Sequence, residues 1–295
     1  MTETVRVRRA VPTDKDRILE ISSTIWEGDD YVPETLDGWL DEGTGELVVA
    51  TLEEHVIAFA HRSWLCPGIA WFEGIRTDPE FRGRGAGRAI TEHLIDGARK
   101  DGAARINLST YIDNEASIHI IESYGFRRVA TFCALERAAD AHTPSVRPFD
   151  SSTIRLLSEA ETVRFVETSE FLVLAGRRFP RGWKFLPFDQ DPREATARLE
   201  YRIGLDSQGE LAAVLCIRQR PEHNGPMTLN FLDGTQEGVR TLLDHALARY
   251  RGHAMECMLP ADGERYAAAF PALVKAGFSS WNDFQPDVFV YELWL

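Results

Sequence analysis

The stretch Ile75-Arg76-Thr77-Asp78-Pro79-Glu80-Phe81-Arg82-Gly83-Arg84-Gly85-Ala86-Gly87-Arg88 decides how the chain is read. An apolar, β-prone run from Ile69 to Thr77 leads into it, and an amphipathic run from Arg88 to Lys100 leaves it. A glycine-rich turn therefore joins a strand to the start of a helix. Gly83, Gly85 and Gly87 let the backbone fold tightly and turn its N–H groups inward. The helix behind adds its own N–H groups and the positive end of its dipole. Arg82, Arg84 and Arg88 add full charges. Such a turn suits a diphosphate. Two common phosphate loops do not fit. The P-loop ends in Gly-Lys-Ser/Thr, and no lysine lies here. The dinucleotide fingerprint G-x-G-x-x-G, counted from Gly83 and Gly85, would need a glycine where Arg88 stands.

What fits is Arg-x-x-Gly-x-Gly at Arg82, Gly85 and Gly87, with Asn114-Glu115-Ala116-Ser117-Ile118, Ile121 and Gly125-Phe126 following. The set resembles the acetyl-CoA signature of the GNAT superfamily of N-acetyltransferases, over residues 4 to 137. The resemblance implies acetyl-CoA as cosubstrate. It implies that the backbone of Ile75, Arg76 and Thr77 pairs with the pantetheine arm like an added strand. It implies that the turn Arg82, Gly83, Arg84, Gly85, Ala86, Gly87, Arg88 holds the pyrophosphate, and that Asn114 touches the CoA arm. The family's usual general acid is a tyrosine seven residues after that Asn, and here the position is Ile121. Either no acid is used, or water serves, or the domain is inactive. His119 reads as a surface or half-buried histidine, and Tyr124 as core.

At 295 residues the chain is long enough for about two domains. A net charge of −13 argues against nucleic acid and is compatible with an amine substrate or with simple solubility. No apolar run reaches transmembrane length, and the start Met1-Thr2-Glu3-Thr4-Val5-Arg6 has no apolar signal core. Cys66, Cys133, Cys216 and Cys257 are widely spaced, with no C-x-x-C. They read as buried thiols in a reducing cytoplasm, and no metal site is expected. The oligomeric state is not legible.

Periodicity gives the order β-α-α-β-β-β-α-β-α-β for the first half, including a hairpin around Glu53-Glu54. This agrees with the α/β acyl-CoA N-acyltransferase fold, a mixed sheet with flanking helices. Residues 139–152 read as a polar, Pro-containing linker. Residues 153–295 repeat the order more faintly, and Gly277-Phe278 mirrors Gly125-Phe126. The expectation is a tandem: an acetyltransferase domain at 1–138 and a degenerate copy at 153–295. The copy's turn, Asp233-Gly234-Thr235-Gln236-Glu237-Gly238, has two acids and no arginine, so it should repel a diphosphate. The aromatic segment from Phe179 to Phe188 is expected to pack against the first domain.

Acetyl transfer to an amine needs a donor for the developing oxyanion and a base, since only the neutral amine attacks. Glu73 is the catalytic candidate. It stands in an apolar strand two residues before Ile75, and a carboxylate there is costly unless it is paired or faces a cleft. A salt-bridged rim glutamate is the alternative. The segment Ile25-Trp26-Glu27-Gly28-Asp29-Asp30-Tyr31-Val32-Pro33, then Trp39-Leu40, with Phe72-Glu73-Gly74-Ile75-Arg76, is similar to the histidine N-acetyltransferase-like proteins. That similarity implies a small amino acid as acceptor. It makes Asp30 and Tyr31 substrate-binding candidates, with Asp29 beside them and Trp39 as packing. The rival readings are acetylation of a protein or peptide, and a CoA-binding sensor or scaffold without turnover.

Overall fold

The computed structural model describes residues 4–25, 28, 30–41, 43, 45–141, 153–207, 209–218, 226–262, 264–266 and 269–295. Trp26, Glu27 and Asp29, and nearly all of the expected linker, lie outside the described residues. The first half folds in the expected order. Strand β1 (Arg6–Arg9) leads to helices α1 (Lys15–Ser23) and α2 (Val32–Leu40). Strands β2 (Glu46–Leu52), β3 (His55–Cys66) and β4 (Ile69–Thr77) follow, then α3 (Ala86–Lys100), β5 (Arg105–Tyr111), α4 (Glu115–Ser123) and β6 (Arg127–Arg137). The β2–β3 turn holds Glu53 and Glu54 at φ 48° and 67°. These positive angles match the strand twist that a two-residue hairpin requires.

The second half begins with β7 (Ile154–Leu156), α5 (Glu159–Glu167) and α6 (Glu170–Leu174). A short hairpin, β8 (Arg178–Arg181) and β9 (Lys184–Pro187), comes next, then α7 (Pro192–Thr196). The chain goes on through β10 (Tyr201–Ser207), β11 (Glu210–Arg218), β12 (Met227–Gly234), α8 (Gln236–Arg249), β13 (Met255–Asp262) and β14 (Glu264–Arg265). It closes with α9 (Phe270–Lys275) and β15 (Val288–Trp294). The repeat extends to hydrogen bonds. Gly125 at φ 91° donates to Glu122, and Phe126 donates to Ile121. Gly277 at φ 87° donates to Val274, and Phe278 donates to Leu273. Both helices end in the same Schellman motif, for which glycine is the residue without a Cβ penalty.

Two compact units emerge, and they are not the two halves of the sequence. Unit 1 is Met1–Thr110, Asn114–Arg127 and Tyr291–Leu295. Unit 2 is Tyr111–Asp113 and Arg128–Val290. The expected division at 138 and 153 follows chain order, whereas the packing gives nearly all of β6 to unit 2 and the end of β15 to unit 1. In unit 1 the strand order is β1-β2-β3-β4-β5-β15, and in unit 2 it is β6-β13-β12-β11-β10-β7. Each unit thus takes a strand from the other half of the sequence.

One face of the unit 1 sheet carries α1 and α2 over a core of Ile18, Ile21, Val32, Leu36, Trp39, Leu47, Val49, Val56 and Phe59. Each large aliphatic buried there contributes about 1.5–3 kcal/mol. Helix α3 buries Ile90, Leu94, Ile95 and Ala98. In unit 2 the aromatic segment packs inward: Phe179 stacks on Phe231 at 6.2 Å, and Phe185 meets Phe132 at 4.5 Å. The expected packing against the first domain, residues 1–138, holds for Phe185, whose partner Phe132 lies in β6, while Phe179 packs on Phe231 of the second half. These rings are the core of unit 2. No helix among the described residues is long and apolar enough to cross a membrane.

Candidate functional site

Strands β4 and β5 run parallel and pair only at Ile69–Arg105, Ala70–Ile106 and Trp71–Asn107. Beyond that point they share no ladder, so β4 leaves its neighbour just before Glu73. On its other side β4 also slips against β3. Phe59 pairs with Arg76 and His61 with Glu73, so β4 carries one extra residue between those pairs. Gly74, at φ 64°, sits in this bulge. A Cβ at Gly74 would stand 2.6 Å from the Trp39 ring, so both the angle and the space require glycine.

The Glu73 side chain keeps 12% of its surface exposed. Its Oε1 lies 3.1 Å from His61 Nδ1 and accepts a hydrogen bond from Ser63 Oγ at 3.0 Å. Pairing in β3 and β4 puts His61, Ser63, Trp71 and Glu73 on one face. Trp39 of α2 stacks on the His61 ring at 4.6 Å, and His61 is 1% exposed. Sequence reasoning missed His61 and Ser63. The signal was there, as polar residues in the largely apolar run Val56–Leu65, but only the register shows that they meet Glu73.

The acceptor candidates separate. The Asp30 carboxylate is buried and bridged by Arg76, Nε at 3.1 Å and Nη2 at 3.0 Å, with Ser22 Oγ donating at 2.9 Å. This bidentate pair ties the segment before α2 to β4 and engages both carboxylate oxygens. The Arg76 side chain is likewise committed to Asp30, leaving its backbone for any ligand. Tyr31 keeps 39% of its surface exposed. The Arg76 guanidinium lies 5.7 Å from its ring centre, and the ring meets Trp39 edge-on at 6.0 Å. Burial of the Tyr31 hydroxyl pushes the phenol pKa up; the charges of Glu73 and Asp30 add to this and Arg76 opposes it. The phenol is therefore a neutral donor at all ordinary pH values.

The turn before α3 is open. Gly83 and Gly85 have φ 77° and 86°, and nothing lies within 4 Å of where a Cβ would stand at either. The first intrahelical bond is Ala89 N–H to Gly85 O, so the N–H groups of Ala86, Gly87 and Arg88 have no intrahelical acceptor. No side chain caps this end of α3. Arg82, Arg84 and Arg88 are exposed, Arg84 lying over the Phe81 ring and Arg88 donating to Ser123 Oγ. Gly87 serves packing instead, because a Cβ there would stand 3.2 Å from Ile120, and its absence admits α4. Asp78 accepts from Glu80 N–H and is ion-paired with Arg17, which fixes the entry to the turn. Asn114 is exposed at the start of α4, where its amide donates to Thr110 Oγ1. Ile75 and Thr77 are half-buried on β4. Ile121 is in the core. His119 is exposed. Tyr124 is half-buried rather than core, and its hydroxyl donates to Arg88 O at 3.3 Å.

The equivalent turn of unit 2 is shut. Thr235 Oγ1 accepts from Gly238 N–H and caps α8. Asp233 is buried and accepts from Phe171 N–H and Gly234 N–H. A Cβ at Gly234 would lie 2.3 Å from Ala212 O, so no ligand-sized space adjoins the turn there. Strands β12 and β13 also part early, after Leu229–Cys257. There Asn230 Nδ2 donates to Pro180 O of the β8–β9 hairpin, which fills that position. Among the described residues, unit 1 presents helix N–H groups, left-handed glycines and arginines together at the surface, and the matching turn of unit 2 does not. This donor set fits a diphosphate.

Residues 15–126 match the profile of the acetyltransferase (GNAT) family. The N-alpha-acetyltransferase RimI of Mycobacterium tuberculosis is 30% identical over 48% of this chain and 92% of its own length. The ribosomal protein bS18 alanine N-acetyltransferase of Escherichia coli is 44% identical over 18% of this chain and 35% of its own length. The chain thus spans about a third of the length of the first curated relatives it matches, 36% and 35%. A GCN5-related N-acetyltransferase from Sphaerobacter thermophilus superposes with a TM-score of 0.67 at 17% identity, over 98% of this chain and 95% of that one. The chain belongs to the GNAT family of acetyltransferases. That family takes its acetyl group from acetyl-CoA. Neither of these two curated relatives is a histidine N-acetyltransferase-like protein.

Proposed function

We propose that this protein transfers the acetyl group of acetyl-CoA to the amine of a small molecule, with amino acids such as histidine as candidate acceptors. The observation that carries the reading is Glu73, a carboxylate of β4 met by His61 and Ser63 of β3 at the point where β4 leaves β5. Acetyl-CoA supplies an activated acyl group. The N–H groups at the start of α3 and the three arginines anchor it. The backbone of Ile75–Thr77 orients its arm. A backbone N–H of residues 75–77 is the donor for charge that develops on the thioester carbonyl oxygen. Glu73 takes the proton of the incoming ammonium, leaving the amine neutral. Tyr31 borders the acceptor and Asp30 holds Tyr31's segment in place. With Ile121 in the core, the leaving thiolate takes its proton from water. Reduced thiols at Cys66, Cys133, Cys216 and Cys257 fit a reducing cytoplasm.

A second reading, acetylation of a protein N-terminus, is supported by the names of the RimI-type relatives. The test is thiol release from acetyl-CoA, followed with single amino acids and with short peptides bearing a free N-terminal alanine. Faster release with an amino acid supports the proposal. Release with peptides only assigns the second reading, and CoA binding without release under either condition assigns a non-catalytic sensor.

A further inference from the structure

Glu73 on β4 is met from β3 by the ring of His61. Three features hold that ring. Trp39 stacks on one face at 4.6 Å with 13° between planes. Gly45 passes so close that a Cβ there would stand 2.9 Å from His61 Nε2. Nδ1 lies 3.1 Å from Glu73 Oε1. The ring is 1% exposed, so it has no conformational alternative in water. An ionised carboxylate can only accept hydrogen bonds, so His61 Nδ1 must carry the hydrogen in this contact. Ser63 Oγ donates to the same oxygen at 3.0 Å. Oε1 is thus engaged twice from β3.

We propose that His61 is the positioning residue for Glu73: its Nδ1–H, with Ser63, holds the carboxylate in the orientation in which it receives the proton of the acceptor amine. In that step the amine N–H bond breaks and an O–H bond forms on the Glu73 carboxylate, while His61 keeps its own proton. Two donors favour the ionised carboxylate, so they keep Glu73 competent as a base at lower pH. Among the described residues, Tyr31, whose phenol stays neutral, and the Arg76–Asp30 ion pair lie nearby. The inference rests on Glu73 being the base and adds what makes it one.

The test uses the full chain with His61→Leu, His61→Asn and Glu73→Gln. Asparagine can place its amide N–H where Nδ1–H stands, without a titrating ring. Each variant is assayed by thiol release with the amino-acid panel across pH, and by calorimetry with CoA as a control for folding. His61→Leu is expected to lower turnover about 10- to 100-fold, the range for a lost hydrogen bond to a charged group, with CoA affinity unchanged. Its acid limb should move up by about one pH unit, and His61→Asn should restore most of both. A fall in turnover with an unmoved acid limb and no rescue by asparagine overturns the proposal. If Glu73→Gln alone matches the parent at every pH, the base assignment fails and this inference with it. If Glu73→Gln is impaired while His61→Leu is not, only the role of His61 fails. A readout that needs no acceptor is the imidazole 15N spectrum. It should show His61 with its proton on Nδ1, and a proton on Nε2 alone overturns the proposal.

Discussion

Glu73 and Asp30 are carboxylates in the same corner of unit 1, and the partners of their oxygens separate their roles. Asp30 is engaged by a guanidinium on both oxygens, so it is a structural anchor. Asp30→Ala takes the bidentate carboxylate away from the half-buried Arg76 guanidinium, and should cost about 3–5 kcal/mol in thermal or denaturant unfolding. Glu73 has no guanidinium on its Oε1, which meets His61 and Ser63. Glu73→Gln should lower turnover about 10²–10⁴-fold with partial recovery at high pH, where free amine accumulates, and leave CoA affinity unchanged in calorimetry. Asp287 gives a third case, in unit 2. Burial pushes its carboxyl up to about 6, although Oδ1 accepts from Ala134 N–H. A folded-state value above the unfolded one means the ionised form is penalised. Stability from this group is therefore full at acid pH and falls as pH rises from about 4 through 6. Asp287→Asn keeps the Oδ1 acceptor, so its melting temperature should exceed the parent's at pH 8, with the gap closing at pH 4. The sequence showed Asp30 and Glu73 as candidates alike. Only the pairing register, which joins residues far apart in the chain, could tell them apart.

At the scale of elements, the two homologous helices α3 and α8 differ at their first residue. One starts on a left-handed glycine in open space and the other on a threonine that caps it. Gly85→Asp adds a Cβ where φ is 86° and a negative charge beside the N–H groups. It should abolish most CoA affinity with little loss of stability, measured by calorimetry and melting. Thr235→Ala should do the reverse, costing about 1 kcal/mol of stability with CoA binding intact at one site per chain. This contrast was legible in the sequence, because glycine, arginine and acidic residues declare themselves locally. The β8–β9 hairpin was less legible. Its strands are four residues each, too short for periodicity to show, and its aromatic rings could have filled either unit. Glu53 and Glu54 were read as a turn from their place between apolar runs.

For the whole molecule, the element order of each half could be read from pattern, but the exchange of β6 and β15 could not. Both strands carry the same apolar character wherever they pair, and nothing local records the partner. A fragment of residues 1–138 lacks the end of β15 that unit 1 contains. It should show no cooperative thermal transition, whereas the full chain should; a sharp, two-state melt of the fragment would refute this. The same exchange bears on how the protein is made. The strand that completes unit 1 leaves the ribosome only after nearly all of unit 2. At about 5–20 residues per second, the nascent unit 1 waits on the order of 10 s with the free edge of β5 uncovered. An unpaired edge is a template for pairing with another chain. Crowded polysomes and slow codons in the second half should therefore increase aggregation during synthesis, and a chaperone that shields strand edges should relieve it.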